Sequence, residues 1–206
     1  MEERKRGSER VVAFADGVFA ILITLLVLDL HAPHLGTLQS LWALWPSFVG
    51  YGVSYLFLAI VWINHHHLLR LAPAATPQLI WSNFGHLFSV SLVPFTTSWI
   101  ANTHLAPIPM AAYALVFVLV NVTYLMLCME VVDRQHAENV PYPARRSMRR
   151  RSLLTLGAFI SASIVALVYP IGSLAIVCAC LILYLRPEAP SKESIEDPKE
   201  KPASSK

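Results

Sequence analysis

The sequence predicts an all-α integral membrane protein with six transmembrane helices, and three observations carry that expectation. Of its 206 residues 55% are hydrophobic and 14% charged, with a mean hydropathy of +0.53; a soluble domain carries about a quarter charged residues. Apolar runs recur that approach the ~20 residues needed to cross a bilayer. All sixteen Lys and Arg residues lie at the amino terminus, at Arg70, between Arg134 and Arg151, or from Arg186 onward. Basic residues collect on the cytoplasmic side, so this pattern places both termini in the cytoplasm.

The expected spans cover roughly 11–30, 42–64, 79–101, 110–132, 152–168 and 171–185. The first run is too long for a cleavable signal peptide and lacks a small-residue cleavage site after it, so it should remain as a span. The last two runs are short, and Tyr169-Pro170-Ile171-Gly172 between them favours a tight helical hairpin. One unbroken helix of ~35 residues there would overshoot the bilayer. The connections Asp29 to Leu41, Asn102 to Pro109 and Tyr169 to Gly172 contain no Lys or Arg. Six spans are the simplest number that fits.

Two units follow: a transmembrane unit over 1–186 and a polar tail over 187–206, whose mixed charge and prolines predict disorder. The linker Arg134–Arg151 is basic enough to meet anionic lipid headgroups, although a plain topogenic signal is the favoured reading. Cys128, Cys178 and Cys180 fall inside spans without metal or redox spacing, and read as small, reduced packing residues.

Arg10 to Leu30 is the most informative stretch. No charge occurs from Gly17 to Leu28, and Ile21, Thr24, Leu25 and Leu28 share one helical stripe by their spacing of three and four. Asp16 points roughly opposite, at ~100° per residue. An acid on an apolar membrane helix is costly and seeks partners. Candidates are Arg10 on the same helix and Trp62, Asn64, His65 and His66 at the cytoplasmic end of the second. Pairing would clamp the first helix in one rotation and turn the stripe away.

Other motifs are excluded by context. Val49-Gly50-Tyr51-Gly52 matches part of a carbonyl filter. It lies inside one apolar run, with no preceding pore helix, and Phe48 stands where such a filter opens on threonine. Gly50 and Gly52 read instead as sites of close helix contact. His65-His66-His67 diverge by ~100° per residue and cannot converge on one ion. Serine elbow, phosphate loop and paired carboxylates are missing, so the chain does not read as an enzyme. Neither a cofactor nor a nucleic-acid partner is expected.

The segment Arg10-Val-Val-Ala-Phe14-Ala15-Asp16-Gly17 resembles the R-x-x-x-F-S-D signature of the transmembrane protein 175 family. Trp62 to His66 resembles the W-x-N-H-H of that family's second helix. Ala15 stands where the signature has serine, which removes a hydroxyl. Length and topology up to Arg186 are similar too. The resemblance implies a potassium-permeable cation channel of the plasma membrane without a pore loop. It implies a homotetramer, K+ as permeant ion, and a pore lined by the first helix of each subunit. By spacing from the signature, Ile21, Leu25 and Leu28 would form the constriction and Thr24 a hydroxyl layer. Six helices this short leave little room for an internal path, which favours a pore on a symmetry axis. The competing expectation is a small proton- or ion-coupled secondary transporter. Such proteins show inverted repeats and a midplane charge, but 1–101 and 102–186 show no convincing repeat.

Overall fold

In the computed structural model, which describes residues 2–134 and 142–185, the chain is a bundle of α-helices. These are α1 (Glu2–Leu28), a short α2 (Leu38–Trp42), α3 (Trp45–Arg70), α4 (Pro77–Ser91), α5 (Val93–Asn102), α6 (Pro107–Cys128), α7 (Tyr142–Ala166) and α8 (Pro170–Leu185). A π-helical turn, Met129–Arg134, extends α6. Gly7–Leu28, Trp45–Arg70 and Pro107–Asp133 are each long and apolar enough to cross a bilayer, and Pro170–Leu183 is a shorter apolar helix. The protein is thus a multi-pass membrane protein.

Several boundaries differ from expectation. Helix α1 begins well before residue 11, and α7 begins at Tyr142, so much of the basic linker is helical. The short helix α2, capped by Thr37 Oγ1 accepting from Ser40 N–H, fills the end of the connection between the first two expected spans. Residues 135–141 and the tail expected over 187–206 lie outside the described residues.

The expected third span is broken at Leu92. Pro94 has no N–H to donate back one turn, so α4 stops at Ser91 and α5 restarts at Val93. Hydroxyls bond carbonyls on both sides of the break: Ser91 Oγ donates to the Phe88 carbonyl at 2.7 Å, which the Leu92 N–H leaves for Ser89 and Val90. Thr97 Oγ1 donates to the Val93 carbonyl at 2.7 Å. With that proton committed, Ser54 donates to Thr97 Oγ1 at 2.7 Å, and Tyr113 in turn donates to Ser54 at 2.9 Å. This directional chain ties α6 and α3 to the break. Gly50 packs beside it, where an added Cβ would lie 3.4 Å from Ile100. Gly52 meets nothing within 4 Å, which corrects its expected role in helix contact. The VGYG segment is helical throughout.

Helix α6 is central, with α4 and α5 against one side and α7 against the other, while α1 packs on α3. Phe57 of α3 stacks on Phe117 of α6 at 3.6 Å between centroids, and Phe159 of α7 stands edge-on to both. Such aromatic clusters add packing beyond their area, which matters where lipid supplies no hydrophobic drive between helices.

The expected hairpin between α7 and α8 is present, but its turn lies at residues 167–169, and Pro170, Ile171 and Gly172, expected in the turn, open α8 instead. Gly172 lies under the Tyr169 ring, and a Cβ there would fall 2.2 Å from Tyr169 Cδ1. Gly172→Ala should therefore lower the midpoint of detergent unfolding, and Tyr169→Ala should relieve most of that loss. A cost that persists without the ring contradicts this packing.

Candidate functional site

Helix α1 divides its apolar residues between two faces. Ala15, Phe19, Leu22 and Leu26 recur at helical spacing and are 0%, 1%, 6% and 1% exposed. Ile21, Leu25 and Leu28 lie on another face and are 60%, 41% and 71% exposed. Phe14, also exposed, continues that face and meets Phe84 of α4 at 5.5 Å between centroids. Thr24 is exposed on it as well. Its hydroxyl proton is committed to the Ile21 and Ala20 carbonyls at 2.8 and 3.1 Å, so oxygen lone pairs face outward.

The rotation of α1 is set by Asp16 on the flank of the buried face. Trp62 and His66 stand four apart on α3 and so share its side toward α1. The Trp62 indole N–H donates to Asp16 Oδ1 at 2.8 Å, and His66 Nδ1 lies 3.4 Å from the same oxygen. The two rings pack at 5.5 Å. The Asp16 side chain is 35% exposed, so the acid is not fully withdrawn from the surface of the bundle. A flanking position lets the carboxylate keep solvent while it accepts the indole.

The remaining expected members do not join Asp16. His65, one residue round the helix from His66, turns to α4, where its Nε2–H donates to Asn83 Oδ1 at 2.7 Å. Asn64 donates to the Ile60 carbonyl of its own helix, and His67 bonds the Ile63 carbonyl. The three consecutive histidines thus point three ways. Arg10 is exposed and, among the described residues, forms neither a hydrogen bond nor an ion pair with Asp16. It is six residues away, on the side of α1 that carries Phe14 and Ile21.

Two buried partners went unnoticed in the sequence. Asn83 and His86 sit three apart on α4, and are 2% and 0% exposed. His86 stacks on His65 at 5.3 Å, and its Nδ1 reaches Thr123 Oγ1 of α6 at 3.1 Å. Thr123 spends its own proton on the Leu119 and Val120 carbonyls, so His86 Nδ1–H is the donor. Polar residues within the apolar 79–101 run were the available signal. Ala15 is wholly buried, so a serine hydroxyl at this position would need a partner that the chain does not otherwise require.

The model of the family described as the endosomal/lysosomal potassium channel TMEM175 matches residues 10–94. A potassium channel of Streptomyces collinus is 36% identical over 176 residues, covering 75% of this chain and 84% of the relative. The chain belongs to the TMEM175 family. A potassium channel of Chryseobacterium sp. (strain P1-3) is 28% identical over 188 residues, covering 91% of this chain and 97% of the relative. A crystal structure of a lysosomal potassium-selective channel TMEM175 homologue from Chamaesiphon minutus superposes with a TM-score of 0.75 at 26% identity. It covers 86% of this chain and 95% of that one. The segment matched by the TMEM175 family runs through Asp16, Trp62 and His66, so it contains both halves of the α1–α3 contact.

Trp62→Phe keeps the ring but removes the donor to Asp16. A hydrogen bond to a charged group is worth about 1.5–3 kcal/mol, and partial exposure brings the expected loss to about 1 kcal/mol. The readout is the unfolding midpoint in mixed detergent micelles. An unchanged midpoint contradicts a stabilising role for this bond.

Proposed function

We propose that this chain is one subunit of a potassium-selective cation channel whose pore is lined by α1 of each subunit. The observation that carries the reading is the apolar stripe Ile21, Leu25 and Leu28, which the chain's own bundle leaves uncovered. Relatives covering most of its length are potassium channels, and that supports potassium as the permeant ion. In this reading the six-span unit keeps both termini in the cytoplasm of the plasma membrane, and four copies close a ring.

The chemistry of the stripe sets the mechanism. A ring of isoleucine or leucine offers no oxygen to replace an ion's water, so a narrow ring excludes water and ion together. A small tilt or rotation of α1 widens it and admits a partly hydrated ion. Potassium sheds water more readily than sodium, so the constriction favours it modestly. Thr24, its lone pairs outward, supplies an acceptor layer between the apolar rings. Asp16, held by Trp62 and His66, keeps α1 turned with the stripe toward the axis. No cofactor takes part.

The test is flux from liposomes holding the purified protein, with Ile21→Asn beside the natural chain. A polar ring lowers the barrier to wetting, so potassium flux should rise several-fold and the potassium-to-sodium ratio should fall. If flux and ratio both stay unchanged, Ile21 is not the constriction.

A further inference from the structure

We propose that the groove between the end of α6 and the start of α7 binds an anionic phospholipid, acyl chain in the groove and phosphate on the arginines above it. The channel reading makes no use of this part of the molecule. The inference rests on that reading only for the leaflet, the cytoplasmic one.

Two features meet there. The first is a groove of about 240 Å³ whose walls include Leu125, Cys128, Met129, Val132 and Leu153. By volume it would hold several waters at ~30 Å³ each, and a water needs two to four polar partners; five of the eight lining residues are apolar or nearly so, and the polar ones are Asp133, Arg149 and Ser152. Met129 and Leu153 are 47% and 60% exposed, so the groove opens sideways onto exposed apolar surface. A largely apolar slot opening on such surface fits a hydrocarbon chain.

The second feature is the charge directly above it. Arg146, Arg149 and Arg150 are all exposed, and their spacing of three and four puts them on one face of α7. Leu153 continues that face four residues after Arg149, about 6 Å along the axis at 1.5 Å per residue. Basic turn and apolar slot are therefore stacked in the order of a phospholipid headgroup and tail.

Asp133 makes the arrangement specific. It lies in the π-helical turn that extends α6, and accepts from Arg149 Nη2 across the groove. One contact leaves the rest of the guanidinium's five donors available, with the group pinned above the slot. Arginine fits phosphate through paired, planar hydrogen bonds. Arg146 and Arg150 add charge on either side. A zwitterionic lipid gains less here, because its own cation meets the same arginines.

The experiment is native mass spectrometry of the full chain, released from detergent after equilibration with phosphatidylglycerol and phosphatidylcholine in equal amounts. The natural chain should retain phosphatidylglycerol in preference. The double variant Arg146→Gln/Arg150→Gln keeps the Arg149–Asp133 pair and should lose about thirtyfold in retention, from roughly 1 kcal/mol for each of the two basic residues near an anionic surface. Leu153→Trp keeps every charge but fills the slot, and should also lose the diacyl lipid. Arg70→Gln, at the end of α3, should change nothing. Retention of phosphatidylglycerol by the double variant, or by Leu153→Trp, overturns the proposal. Displacement of the lipid by millimolar inorganic phosphate overturns it too, since that outcome marks a phosphate site without a lipid tail.

Discussion

Helix α1 is apolar on more sides than one bundle covers. Ala15, Phe19, Leu22 and Leu26 fill the interior, while Ile21, Leu25 and Leu28 stay outside it. In water such a second face would drive aggregation. In a membrane it tolerates lipid, so burial alone does not fix which face of the helix turns inward. Something polar has to decide, and Asp16 does. Its carboxylate needs the Trp62 indole and sits beside the His66 imidazole. Turning α1 by one residue, ~100°, would break that contact and carry Phe19 out of its place against His65.

The constraint extends inward through polar contacts that each link two helices. Trp62 and His66 belong to α3, and their neighbour His65 bonds Asn83 on α4. His86, one turn on, stacks on His65 and donates to Thr123 on α6. A second hydroxyl chain from Tyr113 through Ser54 to Thr97 fixes α3, α5 and α6 around the Pro94 break. Hydrogen bonds within a bilayer are individually modest. Their value here is directional: packing of leucine on leucine accepts many rotations, whereas these bonds accept one.

Three of the spans and the α7–α8 hairpin were legible in the sequence because hydropathy and the helix-starting Pro170 act locally. The stripe Ile21, Leu25 and Leu28 was legible for the same reason, since 3.6-residue spacing sets it apart without knowledge of the neighbours; the buried face Ala15, Phe19, Leu22 and Leu26 was not singled out. The partition of the histidines was half legible. Divergence of consecutive residues follows from helix geometry, but which partner each meets depends on how α4 lies against α3. Asn83 and His86 were passed over because hydropathy averages them into an apolar run. Sequence alone left Arg10 open between Asp16 and the membrane interface; six residues from Asp16, it lies on the exposed side of α1, away from α3. The π-helical turn after Cys128 and the break at Leu92 needed tertiary context, although Pro94 marked the second.

The central claim is that the uncovered side of α1 faces a passage shared between subunits. Electron cryomicroscopy of the purified protein in lipid nanodiscs measures this directly. The account predicts a closed ring of chains with α1 innermost, Ile21, Leu25 and Leu28 pointing at the symmetry axis, and Asp16 on its Trp62 partner. A map in which those three side chains contact acyl chains while another helix surrounds the axis would contradict it.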